Sequence, residues 1–126
     1  MRLLIVDDDV LVRRSLQRAL ERAGYTAGRG HRISCAGDGD ACRRIVAEEG
    51  PFDVIFMDGE LGPGDTGPIV VFKLREAGCN ATIIMTSSHA DMAQAGITAG
   101  ANASCDKVAL GADTDAVLRE LGISPP

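Results

Sequence analysis

Tryptophan is absent from this 126-residue chain, and its aromatic residues amount to one tyrosine and three phenylalanines. Its core must therefore be aliphatic. A long apolar run is also missing. Leu3 to Val6 stays apolar for only four positions before three consecutive aspartates, far short of a signal peptide's apolar region or a membrane span. This predicts a cytoplasmic protein with no membrane segment. Cys35, Cys42, Cys79 and Cys105 form no C-x-x-C pair and no zinc-ligand spacing, so they read as small buried hydrophobes in a reducing compartment. Basic residues are outnumbered 13 to 18, for a net charge of −5, and stand in ones and twos along the sequence. Direct nucleic-acid binding is accordingly not expected.

What is present fits one globular domain, with 45% hydrophobic and 25% charged residues and enough length to bury a core without staples. Short apolar runs alternate with helix-period segments, the pattern of a parallel sheet wrapped by helices. The expected strands are Leu3–Val6, a short Ile33–Ala36, the uninterrupted Val54–Met57, Thr82–Met85 and a thin Ala101–Cys105. The first helix carries Val12, Leu16, Ala19, Leu20 and Ala23 on one face, with Asp9 as N-cap and Gly24 as its stop. Four more are expected: Asp40 to Glu49, ended by Gly50-Pro51; one with Pro68 in its first turn and Gly78 at its close; a small-residue Ala90–Ala99; and Asp113–Leu121. Thr26 to Arg32 reads as an extended surface loop.

In an open parallel α/β sheet, ligands bind at the carboxyl ends of the strands. Those ends carry Asp7-Asp8, Asp58, Thr86 and a segment leading to Lys107. Carboxylates from two strands repel one another unless a cation sits among them, and oxygen ligands with room for water suit Mg²⁺. A lysine beside that cation calls for an anion. Taken singly, Asp7, Asp8 and Asp9 could be helix caps, but three in a row exceed what capping needs. Asp53 flanks the central strand at its start, the wrong end for this site. His31 and His89 are assigned solvated or local hydrogen-bonding roles.

Leu3-Leu4-Ile5-Val6-Asp7-Asp8, Phe52 to Asp58, Ile83-Ile84-Met85-Thr86, Gly100-Ala101 and Lys107 together resemble the receiver domains of two-component response regulators. The resemblance covers nearly the whole chain in order. It implies a flavodoxin-like, doubly wound five-stranded parallel sheet of strand order 2-1-3-4-5 with five helices, residues 1–122 forming the receiver domain and residues 123–126 a tail or the start of a linker. It implies that Asp58 accepts a phosphoryl group from a phosphohistidine of a histidine kinase or histidine phosphotransfer protein. Asp8 and Asp58 would bind Mg²⁺ directly, Asp7 through water, with the main-chain carbonyl of Glu60 completing the set. Lys107 and the Thr86 hydroxyl would contact the phosphoryl oxygens. Such a protein is a switch that catalyses only its own phosphorylation and dephosphorylation, acting on an output partner and by phosphorylation-dependent homodimerisation.

Four positions depart from the family's pattern. Val108 follows the lysine where the family has a proline, usually after a cis bond. A cis bond before valine costs about 2.5–4 kcal/mol against 0.5–1 before proline, so this loop should be trans and rearranged, or strained. Ser104 replaces an aromatic residue whose rotamer reports phosphorylation, so that readout cannot operate. Gly62-Pro63-Gly64 displaces the usual proline after the phosphoacceptor, and the loop before the second strand is several residues longer than is typical.

Two rival readings remain. Asp7-Asp8-Asp9-Val10 resembles the D-x-D motif of haloacid-dehalogenase-type phosphatases, with Asp7 as nucleophile and Asp113 and Asp115 as the late acidic pair, but this leaves Asp58 without a role. A degenerate receiver that binds a partner constitutively is the non-enzymatic rival. The G-x-G-x-x-G match at Gly62 to Gly67 has no acidic residue ending the next strand and reads as chance.

Overall fold

A computed structural model of the chain describes residues 1–124. Five strands, β1 (Arg2–Val6), β2 (Arg32–Ala36), β3 (Val54–Met57), β4 (Thr82–Met85) and β5 (Ala103–Ser104), form one parallel sheet in the order β2-β1-β3-β4-β5. Helices α1 (Val10–Arg22), α2 (Gly39–Glu49), α3 (Gly67–Glu76), α4 (Ala90–Ala99), α5 (Lys107–Ala112) and α6 (Thr114–Glu120) cover its faces. This is the doubly wound flavodoxin-like topology.

The four residues of β3 are all buried, as a strand covered by helices on both faces requires. Alternate side chains feed two cores. Leu4, Val6, Ile55 and Met57 join Val70, Leu74 and Cys42 on one face, while Leu3, Ile5, Val54 and Phe56 join Leu16, Leu20, Tyr25 and Leu110 on the other. Burying each of the larger side chains stabilises the fold by roughly 1.5–3 kcal/mol.

Several expectations need correction. Among the described residues there are six α-helices instead of five. The additional one, α5, begins at Lys107 because the Asp106 side chain accepts from the backbone N–H of Val108 (2.7 Å) and Ala109 (3.1 Å). A proline at 108 would have had no N–H to offer that cap. The Lys107–Val108 bond is trans. Strand β5 is shorter than expected, and at its start this is because the N–H of Ala101 still bonds back to Gly96 of α4. Residues 26–31 are a compact turn, with a 3₁₀ segment at Ala27–Arg29 and the His31 N–H bonded back to Thr26, and not an extended loop. Of the two roles expected for His31 the hydrogen-bonding one is found: it is buried, accepts from the Met1 amine at Nδ1 (2.8 Å) and meets Tyr25 edge to face at 5.1 Å. Ile123, expected in the tail, is buried in the second core.

Candidate functional site

The ladder delivers the site residues to one edge of the sheet. The N–H of Asp7 bonds to Ala36, that of Asp58 to Val6, and that of Thr86 to Met57, so three strands end side by side. Asp9 then starts α1 by accepting from Leu11 N–H (2.9 Å), while the Asp7 carboxylate accepts from Asp9 N–H (2.9 Å). Of the three successive aspartates, one is a cap and one is turned into the site. The third, Asp8, is exposed at the mouth.

Asp7 and Asp58 are buried, and the Lys107 ammonium lies between them at 2.8 Å from Asp7 Oδ2 and 3.1 Å from Asp58 Oδ1. Burial raises the pKa of the Asp58 carboxyl, as does the Asp7 charge. Lys107 and the backbone N–H of Glu60 oppose the shift without cancelling it. Burial alone would lower the Lys107 pKa, but its bonds to Asp7 and Asp58 outweigh that and hold it raised, keeping the ammonium charged.

One carboxylate oxygen each from Asp7, Asp8 and Asp58 lie within 4.8 Å of one another. Three hard oxygen donors around a cleft open to water match what Mg²⁺ takes, a few carboxylates with the remaining positions filled by solvent. The residues present therefore fit the cation.

Glycines make the surrounding loops fit. A Cβ on Gly67 would collide with the carbonyl of Asp58, and one on Gly59 would come within 2.9 Å of Met92 Cβ on α4. Helix α4 thus touches the residue next to Asp58. It also lies directly on β4, because a Cβ on Gly96 would strike the Met85 side chain.

Thr86 is buried, but the cleft wall beside Asp58 is formed by its neighbours Ser87 and Ser88 and by His89. Sequence reading passed over these two hydroxyls, although the unbroken Thr86-Ser87-Ser88 run at a strand end was the available signal. His89 Nε2 faces Glu60 Oε1 at 3.3 Å, joining the loops that flank the mouth. Asp113 and Asp115 line a different depression together with Arg22, so the phosphatase reading loses its late acidic pair. Asp53 accepts from Arg2 N–H (2.7 Å) at the far end of β3, a structural role. Ser104 is exposed. Burial pushes the Cys42 thiol up to about 12 and that of Cys105 to about 11, leaving them unreactive.

A doubly wound parallel sheet with an acidic trio and a lysine gathered at its carboxyl edge places the chain among the flavodoxin-like α/β proteins. The profile of the response regulator receiver domain matches residues 3–110, and the chain belongs to that family. It is 33% identical over 104 residues to the response regulator MprA of Mycobacterium ulcerans, covering 81% of this chain and 41% of that protein. It is 32% identical over 91 residues to the uncharacterized transcriptional regulatory protein YbdJ of Bacillus subtilis, covering 72% of this chain and 36% of that one. The chain thus spans about two fifths of the length of these relatives. Among solved structures it is similar to the chemotaxis protein CheY4 of Vibrio cholerae, with a TM-score of 0.76 at 24% identity, covering 94% of this chain and 96% of that one. The receiver domain of NtrX from Brucella abortus gives a TM-score of 0.77 at 22% identity, covering 94% and 95%. At these identities the structural likeness speaks for the fold.

Proposed function

We propose that Asp58 is the phosphoacceptor of this receiver domain. It takes the phosphoryl group of a phosphohistidine on a histidine kinase or a histidine phosphotransfer protein. The observation that carries this reading is the convergence of the Asp7, Asp8 and Asp58 carboxylates, with Lys107 bridging two of them. An Asp58 oxygen forms the new P–O bond as the P–N bond breaks, and the imidazole leaves. The transferring group spreads its charge over three oxygens, so the protein's part is to position and neutralise. Asp8, Asp58 and the Glu60 carbonyl would hold a divalent cation, with Asp7 acting through water, and the cation would supply charge neutralisation there. Lys107 swings from its two carboxylates onto the phosphoryl oxygens, and the hydroxyl of Ser87, which lines the cleft in place of the expected Thr86, donates to another. The domain takes in residues 1–123, because Ile123 packs in its second core. Its phosphorylated form engages an output partner or a second copy, in the cytoplasm.

Incubation with acetyl phosphate and Mg²⁺, followed by intact-mass measurement, tests the reading. One added phosphoryl group, lost in Asp58→Asn, is expected. No addition would establish a degenerate receiver, and addition that persists in Asp58→Asn and maps to Asp7 or Asp9 would establish the phosphatase chemistry.

A further inference from the structure

Two adjacent arginines of α1 have different surroundings. Arg14 is exposed, whereas Arg13 is half-buried and its guanidinium donates to the main-chain carbonyl of Asp7 at 2.7 Å. The Asp7 N–H is already held by the Ala36 carbonyl at the end of β2, at 3.1 Å. Both main-chain groups of this buried aspartate are therefore fixed, one by the sheet and one by a side chain on the following helix. The Asp7 carbonyl shares a rigid peptide plane with the Asp8 N–H, so its direction also sets where the Asp8 side chain leaves the main chain. One guanidinium thus bears on the aim of two of the three carboxylates that come within 4.8 Å of one another.

No carboxylate competes for that guanidinium, since none of the ion pairs among the described residues includes Arg13. Its seat depends on a glycine. A Cβ on Gly37, just past β2, would stand 3.2 Å from Arg13 Nη1, the same nitrogen that bonds to Asp7. Gly37 has no positive φ, so a side chain there would disturb the space and not the backbone. Arg13 does not line the acidic cleft, and its bond into the site is the one to the Asp7 carbonyl.

We propose that Arg13 is a positioning residue for the divalent-cation site, holding the Asp7–Asp8 peptide so that both carboxylates converge with Asp58. The inference rests on the proposed function, which puts a cation among these carboxylates. Groups that orient metal ligands without touching the metal commonly change its affinity by about tenfold or more. The direction of the effect separates positioning from charge. By Coulomb's law alone, removing a positive charge from the neighbourhood of three carboxylates favours Mg²⁺. Releasing the peptide loosens the ligand set and disfavours it. A loss of Mg²⁺ affinity on removal of the guanidinium is therefore the mark of positioning.

The test titrates Mg²⁺ into isotope-labelled protein with no phosphodonor present, following the amide signals of residues 7–9 and 58–60 by NMR. Arg13→Met keeps a long side chain but removes donor and charge, and should weaken Mg²⁺ binding about tenfold. Arg13→Lys retains a donor and should stay within about threefold, and Arg14→Met, with the same change in net charge at an exposed position, within about twofold. In metal-free protein the Asp8 amide signal should move in Arg13→Met and stay in place in Arg14→Met. Gly37→Ala crowds the guanidinium without removing charge. It should weaken Mg²⁺ about twofold alone and add nothing in the Arg13→Met background, and it keeps the proposal testable should Arg13→Met fail to fold. At saturating Mg²⁺, phosphorylation of Arg13→Met by acetyl phosphate should return to about the unmodified rate. Unchanged or tighter Mg²⁺ binding in Arg13→Met, equal losses in Arg13→Met and Arg14→Met, or additive effects of Gly37→Ala and Arg13→Met would overturn the proposal alone. No Mg²⁺ binding by the unmodified protein would overturn the cation site itself, and the proposal with it.

Discussion

Asp53 and Asp58 flank the same four-residue strand and differ in almost everything else. Asp53, at the strand's start, is exposed and accepts one backbone N–H from Arg2. Asp58, at its end, is buried against Asp7, with a raised pKa and an ammonium at 3.1 Å. The strand direction makes this difference. In a parallel sheet every strand end falls on one edge, so Asp58 meets the ends of β1 and β4 while Asp53 meets only the starts of its neighbours. The two carboxylates differ through the company the topology gives them.

Breaking this comparison at its sharp end gives the largest effect. Asp58→Asn should abolish phosphorylation by acetyl phosphate, while Asp53→Asn keeps the rate within about twofold, as read by intact mass. Comparable losses from both would mean that the two ends of β3 are not functionally distinct.

Lys107→Ala comes next. It leaves two buried carboxylates facing each other, and loss of charge-assisted bonds of this kind should lower stability by about 1.5–3 kcal/mol in denaturant melts. Millimolar Mg²⁺ should recover part of that loss by mass action, and Asp8→Ala should remove the recovery. An unchanged melting midpoint in Lys107→Ala would show that the lysine does not hold the cluster together.

A smaller effect belongs to the opposite edge. Burial lowers the His31 pKa, and the Met1 amine and Arg29 push it the same way. With the folded value below the ordinary 6.5 of a histidine, the unfolded chain binds the extra proton more readily. The contribution of His31 is therefore complete above about pH 6.5 and is lost as pH falls through that value towards the folded one. His31→Gln should flatten the melting temperature between about pH 7 and 5 relative to the unmodified protein. Identical slopes would remove His31 as the cause.

The smallest change is expected for Asp53→Ala, about 0.5–1.5 kcal/mol for one exposed backbone contact, with Mg²⁺ binding unaltered by calorimetry. A loss of Mg²⁺ affinity would tie this end of the strand to the site and collapse the comparison.

Much of the fold was legible because the parallel sheet writes itself as unbroken apolar runs. Val54–Met57 and Thr82–Met85 were read to the residue, and Ala90–Ala99 likewise. Helix α5 was not legible, since six residues hold too little period, and its start depends on the Asp106 cap finding an N–H where a proline was the family habit. His31 looked like a loop residue because nothing in Gly30-His31-Arg32 reveals that Tyr25 and the Met1 amine lie beside it. The site residues were read as strand-end groups. The bridging of Asp7 and Asp58 by Lys107, and the Ser87-Ser88 wall, were not.

By itself, then, the order of residues determined the strand run, the sheet class and the set of groups brought to its carboxyl edge. These follow from periodicity and from the polarity of parallel strands, which are properties of short stretches of chain. Asp9 was legible as the cap, and tertiary structure decided which of its two neighbours is buried and which faces water. It also decided that, of two adjacent arginines, Arg13 reaches the Asp7 carbonyl while Arg14 faces water. Both depend on which side of α1 is pressed against the sheet, and that is set by side chains many residues away in sequence, on β1, β3 and α5.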